Sequence, residues 1–238
     1  MKYILSLDTT SKYSSIAISK DEKIEIEYNF ITNDNLSSML IPTIKFMLET
    51  IKLNINDIDI FGIAIGPGSF TGIRVGLSTL KGLLFEKKKP VVPVVTLKAL
   101  AYKHIDSNLP IIPVIDAKKE EVYIAGYNFS KQDKIEIISP QLINMKNLKI
   151  KLNTFPNLHF VGIGAEKHKD FIKINFKKSK ILVRTPFVAS EICKISHKEF
   201  ISKNFVLDLQ DLKPFYLRKP DAEQNYNNIK LKKNQDFA

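Results

Sequence analysis

The chain has 238 residues, of which 44% are hydrophobic, so it can bury the core of one large domain or of two ordinary ones. No apolar run approaches the roughly 20 residues that span a membrane, and Asp8 comes too early for a secretion signal, so we expect a cytoplasmic protein without membrane contact. The net charge is +11, but only three of the 36 basic residues are arginines, which weakens the case for specific RNA recognition by this chain alone.

An antiparallel meander is predicted at the start of the chain. Three runs rich in Ile and Tyr, at Tyr3 to Asp8, Tyr13 to Ser19 and Lys23 to Phe30, are separated by turn residues. The first turn places Asp8 before three hydroxyl residues. This combination fits either a metal-bound phosphate or hydrogen bonds to the turn's own backbone, and the second interpretation is favoured.

A helix is predicted from Asn35 to Leu53, and its apolar residues cover an arc of roughly 220°, wider than one core face needs. These residues are Leu36, Met39, Leu40, Ile41, Ile44, Phe46, Met47, Leu48 and Ile51. Pro42 lies inside the pattern, so the helix either bends there or begins its regular part there. The excess apolar arc makes this helix the first candidate for contact with a partner.

A glycine-rich turn follows the buried strand predicted at Ile60 to Ile65. The segment Gly66-Pro67-Gly68-Ser69-Phe70-Thr71-Gly72 leads into a helix predicted from Thr71 to about Glu86. Such a turn fits a phosphate cradle or, alternatively, close helix packing. It matches neither a P-loop, which ends in Gly-Lys-Ser/Thr, nor the dinucleotide fingerprint, which needs a third glycine at position 71.

Two stripes run along the helix that follows the glycines. Ile73, Leu77, Leu80 and Leu84 form an apolar stripe, which we expect to lie on the sheet. Gly72, Gly76 and Thr79 form a stripe of small residues. We expect this second stripe to let another helix approach closely, either the helix at Asn35 to Leu53 or one across an interface.

The pattern of strands and helices then repeats. Further strands are predicted at Pro90 to Val95, Pro110 to Asp116, Glu121 to Phe129, Lys134 to Ile138 and Leu158 to Val161, the last of which is followed by glycines. Further helices are predicted from Thr96, at Pro140 to Lys151 and at Pro186 to Ser202. The repeat predicts duplicated α/β domains with a nucleotide-sized cleft between them. We assign residues 1–103 and 104–220 to the two domains, and the polar residues 221–238 to a flexible tail.

Four segments carry a resemblance to a known family. Leu7 to Thr9, Gly66 to Gly76, Pro113 to Tyr123 and Pro214 to Arg218 together resemble the bacterial TsaB family, also called YeaZ, over nearly the whole chain. The resemblance implies the duplicated, mixed-sheet, ribonuclease H-like fold of the actin, Hsp70 and sugar-kinase superfamily. It also implies a noncatalytic scaffold or activator of TsaD, which transfers threonylcarbamoyl to the adenosine next to the anticodon of tRNAs that read codons beginning with A.

The resemblance also implies partners and an interface. TsaD would form a heterodimer with this chain through the first two long helices, a second copy would take its place when TsaD is absent, TsaE would join them, and tRNA would be reached indirectly through the complex. The expected interface residues are Leu36, Met39, Leu40, Phe46, Met47, Gly72, Gly76 and Thr79. We expect no catalytic, metal or cofactor residues on the isolated chain, while the joint surface with TsaD leaves room for a nucleotide.

Several residues depart from the patterns of active relatives and of the family. Asp116 is followed by Ala117 to Glu121 instead of the glycines whose amides approach a phosphate, and Leu36 and Glu120 replace a histidine and a glycine that are common in the family. The four histidines are isolated, so a metalloprotease lacks its ligands. Cys193 is predicted to be buried on a helix. The alternative function is a small ATP-dependent kinase or ATPase, with Asp8 placing magnesium.

Overall fold

The computed structural model describes residues 1–31, 35–130 and 135–218. In these ranges none of the helices combines the length and the apolar character needed to cross a bilayer. Ile, Val and Tyr are frequent in the strand segments, whereas apolar residues recur every three or four positions in the long helices. The described residues therefore form two sheets covered by helices.

The first sheet contains five strands in the order β3-β2-β1-β4-β5. Its strands are β1 (Tyr3–Asp8), β2 (Tyr13–Lys20), β3 (Lys23–Ile31), β4 (Ile60–Gly66) and β5 (Val91–Val95). The helices of this half are α1 (Leu36–Thr50), α2 (Phe70–Leu83) and α3 (Thr96–Tyr102). β1, β2 and β3 pair antiparallel, while β4 pairs parallel with β1 and with β5.

The second sheet repeats this topology, in the order β8-β7-β6-β9-β10. Its strands are β6 (Ile111–Asp116), β7 (Glu121–Tyr127), β8 (Glu136–Asn144), β9 (His159–Val161) and β10 (Lys180–Leu182), and the helices are α4 (Leu148–Lys151), α5 (Ile163–Lys167), α6 (Lys169–Asn175) and α7 (Ala189–Ile201). The antiparallel and parallel pairs fall in the same places as in the first sheet. The predicted duplication of a mixed α/β unit is confirmed.

Alternation along the strands sends side chains to separate cores on the two faces of each sheet. On one face of the first sheet, Leu5, Leu7 and Ile63 pack with α1 and α2. Ile4, Ile60 and Ala64 point to the other face, where they meet α3 and α7. On the second sheet, α4 to α6 cover one face and α3 covers the other. α3 thus lies between the two sheets.

The last described helix does not follow the order of the chain. α7 packs against β1, β2 and β4 of the first sheet, although it lies within the predicted domain 104–220. The predicted boundary after residue 103 falls between α3 and β6, where the two sheets separate. The predicted tail, residues 221–238, lies outside the described residues.

The helix predicted at Pro140 to Lys151 is wrong in its first half. β8 continues to Asn144, and only a short 3₁₀ turn and α4 follow. β8 lies at the edge of its sheet, and Pro140 falls in a register shift between the pairs Gly126↔Ile138 and Ile124↔Gln141. An edge strand tolerates a proline at an irregularity, because no ladder hydrogen bond is needed there.

Candidate functional site

α1 presents an apolar surface on both of its sides. Leu40, Ile44, Met47 and Leu48 are buried against the first sheet, while Phe46 remains 56% exposed on the outer side. Ile41 is also exposed, at 46%. Pro42 is accommodated within a continuous helix. The apolar arc of α1 is therefore wider than the core-facing side of the helix, since two of its large side chains lie in solvent.

A groove lies between α1 and the end of α2, beside these exposed residues. Its volume is about 280 Å³, and its lining residues are Ile41, Ile44, Lys45, Leu48, Glu49, Leu53, Asn54, Ile55 and Leu83. Five of the nine are Ile or Leu at half-exposed or buried positions, and one more, Ile41, is exposed. An apolar side chain from a partner would lose its contact with water in this groove.

The predicted interface residues divide into two groups. Leu36, Met39 and Thr79 are half-buried and Phe46 is exposed, so all four can touch a partner. Leu40 and Met47, in contrast, have no exposed surface, because they point from α1 into the core under the first sheet. A partner cannot touch these two side chains unless α1 moves, and they are removed from the candidate set.

Gly72 and Gly76 are also buried, and what approaches them is the first turn of the same chain. A Cβ atom on Gly72 would lie 2.0 Å from the carbonyl oxygen of Thr9, and one on Gly76 would lie 2.2 Å from the Oγ1 atom of Thr9. The Thr9 hydroxyl donates a hydrogen bond of 2.8 Å to the carbonyl of Gly72. The expectation that these glycines admit another helix is corrected: they admit the turn between β1 and β2.

The glycine-rich turn also packs against the turn between β1 and β2. A Cβ atom on Gly68 would lie 2.3 Å from the carbonyl oxygen of Thr10, and the amide of Ser69 donates to that oxygen at 2.7 Å. The Ser69 hydroxyl accepts from the amide of Gly72 and caps α2. Gly66 has a φ of 114°, which favours glycine. The contacts support the packing interpretation of this turn over the phosphate cradle.

A cleft of about 500 Å³ separates the two halves, and Asp8 lies on its wall. Asp8 is 3% exposed, and its Oδ1 atom accepts hydrogen bonds from the amide and the hydroxyl of Thr10. Burial raises the pKa of Asp8 to about 6, although the bonds from Thr10 act in the opposite direction. The described residues contain no group of three His, Cys, Asp or Glu that could hold a metal ion.

The hairpin between β6 and β7, which we call the second hairpin, lines the same cleft, but its carboxylate is paired within its own half of the molecule. Lys167 donates a hydrogen bond of 2.7 Å to Asp116, and His168 lies 3.5 Å from the same carboxylate. Burial acts to raise the pKa of Asp116, but Lys167, followed by His168, outweighs it and lowers the pKa below its usual value. A phosphate-bound metal ion would have to displace Lys167 to reach this carboxylate.

Three consecutive residues of this hairpin adopt left-handed backbone angles. Lys118, Lys119 and Glu120 have φ values of 62°, 52° and 58°, and all three side chains are exposed. Glu120 therefore keeps the conformation that the glycine common in the family would favour. The guanidinium of Arg218 donates to the carbonyl of Ala117 and pairs with Glu121, which fixes the hairpin from the other side.

The contacts of the C-terminal segment were not predicted from the sequence. The amide of Phe215 donates to the carbonyl of Ile65 at 2.8 Å, and the ring of Tyr216 stacks on Phe70 with 4.2 Å between centroids. The Nε atom of Arg74 donates to the Tyr216 hydroxyl at 3.2 Å. Together with Arg218, this segment joins the first sheet to the second hairpin. The sequence feature that could have indicated these contacts is the group of aromatic and arginine residues just before a polar stretch.

Cys193 and the histidines lie where no catalytic role is needed to explain them. Cys193 is buried on α7, and burial raises the pKa of its thiol to about 11, so the predicted structural role is confirmed. His159 contacts the hydroxyl of Ser107 at 2.9 Å. Burial, followed by the charges of Arg184 and Lys103, lowers the pKa of His104 to about 4.

Two sheets of like topology with a cleft between them define the class of this protein, which is the actin-like α/β fold. The sequence matches the family described as "TsaD: tRNA N6-adenosine threonylcarbamoyltransferase" over residues 30–226. The chain belongs to that family, within its TsaB (YeaZ) group.

Individual relatives support this assignment. The tRNA threonylcarbamoyladenosine biosynthesis protein TsaB of Haemophilus influenzae is 28% identical over 90% of this chain and 93% of its own length. The TsaB protein of Bacillus subtilis is 27% identical over 94% of this chain and 97% of its own length. The solved structure of YeaZ from Pseudomonas aeruginosa superposes with a TM-score of 0.75 at 20% identity, covering 91% of this chain and all of that one.

Proposed function

We propose that this chain takes part in the biosynthesis of threonylcarbamoyladenosine in tRNA, as a noncatalytic subunit that binds a TsaD transferase and keeps it competent. The biosynthetic role follows the names of the curated relatives that match nearly the whole chain. The observation that carries the subunit role is the unpartnered apolar surface of α1, where Phe46 and Ile41 lie in solvent beside the groove.

The shape and chemistry of this surface suit a protein partner. Large apolar residues that stand together on one helix are costly to leave in water, and they mark interaction sites more often than isolated ones do. Aromatic anchors next to pockets carry most of the binding energy in protein interfaces. Phe46 is the largest such anchor on α1, and half-buried Met39 and Leu36 extend the surface towards the N-terminal end of the helix.

The noncatalytic role is supported by how the cleft residues are already engaged. Gly68, Gly72 and Gly76 accommodate Thr9 and Thr10 of the same chain. Asp116 is paired with Lys167. The carboxylate of the second hairpin is therefore already engaged by a lysine of the same chain, and Ala117 to Glu121 follow it instead of glycines whose amides could approach a phosphate. In this proposal any nucleotide binds at the joint surface with TsaD.

The other proposed partners are a second copy of this chain, TsaE and tRNA. A second copy of this chain would use α1 and α2 in a homodimer when TsaD is absent, so the two assemblies would exclude each other. TsaE would join the TsaD complex, tRNA would be reached within it, and all of these events would take place in the cytoplasm.

The interface is tested by replacing its largest exposed side chain. Phe46→Ala should weaken binding to TsaD about tenfold to a hundredfold in calorimetry, because a central aromatic anchor contributes about 2 kcal/mol or more. Since Phe46 is 56% exposed, the isolated chain should keep its stability. Modification of tRNA by the reconstituted enzymes should fall in parallel at low concentrations of this chain.

Ile201→Ala is the matched control. Ile201 is 67% exposed at the end of α7, on the opposite side of the first sheet from α1. It should leave the affinity for TsaD unchanged. Equal affinities for wild type and the Phe46 variant would contradict the interface, and full tRNA modification without this chain would contradict the function.

A second candidate function is a small ATP-dependent kinase or ATPase, and the observation that favours it is the buried Asp8 on the wall of the 500 Å³ cleft. Titration of the isolated chain with ATP and magnesium separates the two hypotheses. Micromolar binding, with turnover lost in Asp8→Asn, would favour the enzyme; no binding by the isolated chain would favour the subunit.

A further inference from the structure

The positive charge of the chain is concentrated in one segment. Residues 145–185 contain ten lysines and arginines but only two acidic residues, Glu166 and Asp170, so they hold eight of the eleven net positive charges. The remaining residues hold 26 basic and 23 acidic side chains. A lysine-rich composition alone would spread charge along the whole chain, whereas here it collects in the part that forms α4, α5, α6, β9 and β10.

The fold places these lysines on one outer surface. Leu148 of α4, Ala165 of α5 and Ile172 of α6 belong to the same core cluster, so the three helices cover the same face of the second sheet. The opposite face is covered by α3, which lies towards the first sheet. β10 forms the edge of the second sheet next to this layer. The exposed lysines of α4 and α6 therefore belong to the layer that covers the face of the second sheet opposite α3 and the first sheet, and Lys180 of β10 lies at the adjacent edge.

Most of these lysines have no carboxylate partner. Lys146 pairs with Glu120 and Lys167 pairs with Asp116. Seven others are exposed and form no ion pair with any described residue: Lys149, Lys151, Lys169, Lys173, Lys177, Lys178 and Lys180. We call these seven the basic face. Unpaired like charges repel one another, so an external anion that binds them is stabilised by several lysines at once.

We propose that the basic face binds the phosphate backbone of a structured RNA directly, without reading its sequence. The choice of RNA over another polyanion rests on the proposed function, because a tRNA-modifying complex must hold a folded RNA. Lysine contacts to phosphates release condensed counterions, which supplies an affinity that depends steeply on salt. The surface would hold the body of the RNA, while TsaD acts on the adenosine.

The side chains of the face favour a duplex stem over a single strand. Proteins that bind single strands stack bases on exposed aromatic rings. In residues 145–185, which the structure describes, the exposed large hydrophobic side chains are Ile150, Ile163, Ile174 and Val183, and every aromatic ring is at least half-buried. Recognition through phosphates alone suits the regular backbone of a stem. All seven residues of the basic face are lysines, whose ammonium groups are point charges without the forked guanidinium that recognises bases. This fits binding that does not depend on sequence.

The test compares two variants of the full chain that carry the same net charge. The face variant replaces Lys149, Lys173, Lys177 and Lys178 with glutamine. Binding of an unmodified, fluorescently labelled tRNA transcript is followed by anisotropy from about 50 to 200 mM salt. The face variant should lose at least about tenfold in affinity at low salt, and its salt slope should fall by about one unit for each lysine that contacts a phosphate.

The control variant replaces four exposed lysines outside the face. These are Lys23, Lys88, Lys203 and Lys213. It should bind the transcript within about threefold of wild type, because counterion release depends on local contacts. An equal loss in both variants would show that net charge alone acts and would overturn the proposal. Circular dichroism checks that both variants are folded.

Three further outcomes decide between possible anions. No binding of the transcript by wild type at low salt overturns the proposal, as does equal affinity for an unstructured single strand. Binding of phosphatidylserine vesicles that the face variant loses, without RNA binding, would assign the face to a membrane surface instead. Loss of TsaD binding in Phe46→Ala is measured separately, so failure of the proposed function and failure of this inference are distinguishable.

Discussion

Alanine at Gly72 and alanine at Gly82 should change the stability of the isolated chain in opposite directions, although both residues lie on α2. Gly72 faces the turn after β1, whereas a Cβ atom on Gly82 would meet nothing within 4 Å. Comparing the two variants therefore separates the steric cost of the added methyl group from the gain in helix propensity. It also tests whether the small residues of α2 pack within this chain or on a partner.

The cost at Gly72 can be estimated from its two contacts with Thr9. The new Cβ atom would lie 2.0 Å from a backbone carbonyl oxygen, which cannot rotate away as a side chain would. Overpacking of this kind costs about 1–3 kcal/mol. The hydrogen bond from the Thr9 hydroxyl to the Gly72 carbonyl, at 2.8 Å, would be strained, with a further cost of about 0.5–1.5 kcal/mol. The expected loss is about 1.5–4.5 kcal/mol.

Gly82→Ala should raise the free energy of unfolding. Alanine is favoured over glycine in a helix by about 0.5–1 kcal/mol, and no neighbour opposes the methyl group here. Unfolding of the isolated chain in urea, followed by circular dichroism, gives both values. For a chain of this size they correspond to a fall of roughly 3–18 °C in Tm for Gly72→Ala and a rise of roughly 1–4 °C for Gly82→Ala.

A free energy of unfolding within about 0.5 kcal/mol of wild type in Gly72→Ala would refute a close contact between α2 and the Thr9 backbone. If that variant instead weakens binding to TsaD, Gly72 packs on the partner and the contact with Thr9 is of no energetic consequence. Gly76→Ala should cost less than Gly72→Ala, because its nearest neighbour is the side-chain hydroxyl of Thr9, which can turn aside at the cost of its hydrogen bond to the Gly72 carbonyl, whereas a backbone carbonyl cannot.

Three other changes test single features. Asp8→Asn should stabilise the chain at pH 8 by about 1–3 kcal/mol in urea titrations: with its pKa raised to about 6 from 3.8, folding loses stability as pH rises through 6, so the gain should vanish near pH 4, and an equal gain at both values would contradict it. Tyr216→Ala should lower the free energy of unfolding by about 1–3 kcal/mol through loss of stacking on Phe70, whereas Tyr216→Phe should cost less than about 1 kcal/mol; equal costs would assign the effect to the hydroxyl bond with Arg74. Cys193 should react with a thiol reagent only at the rate of unfolding, and rapid labelling of the native chain would contradict its burial.

Local patterns predicted most of the elements, because alternation and helical periodicity are properties of neighbouring residues. β1 to β3, α1, α2 and α7 lie within about three residues of their predicted bounds. β8 was missed in part because Pro140 resembles a helix start, and whether it interrupts a ladder depends on the partner strand. The two-sided apolar arc of α1 was visible, but which of its residues face the sheet was not.

Contacts between residues that are distant in the chain could not be predicted from the sequence, and the reason is physical. The partner of Gly72 is Thr9, 63 residues earlier, and the partner of Arg218 is Glu121, 97 residues earlier. No periodicity connects such pairs, since they meet only when the whole chain has folded. The glycine spacing could therefore show that something approaches α2 closely, but it could not distinguish a phosphate, a partner helix or the chain's own turn.

The duplication explains why glycines recur at the same place in both halves. In the first half, Gly72 at the start of α2 lets the helix approach the backbone that follows β1. In the second half, a Cβ atom on Gly164 of α5 would lie 2.6 Å from the carbonyl oxygen of Val114 and 2.9 Å from the amide of Asp116, at the end of β6. β1 and β6 are equivalent central strands, and β4 and β9 are the strands that lead into these helices. Each helix begins close to the end of the central strand because the two strands are adjacent and parallel, and only glycine leaves room for that approach. The glycines thus answer a demand of the duplicated topology itself, and they would be needed whether or not the cleft receives a ligand.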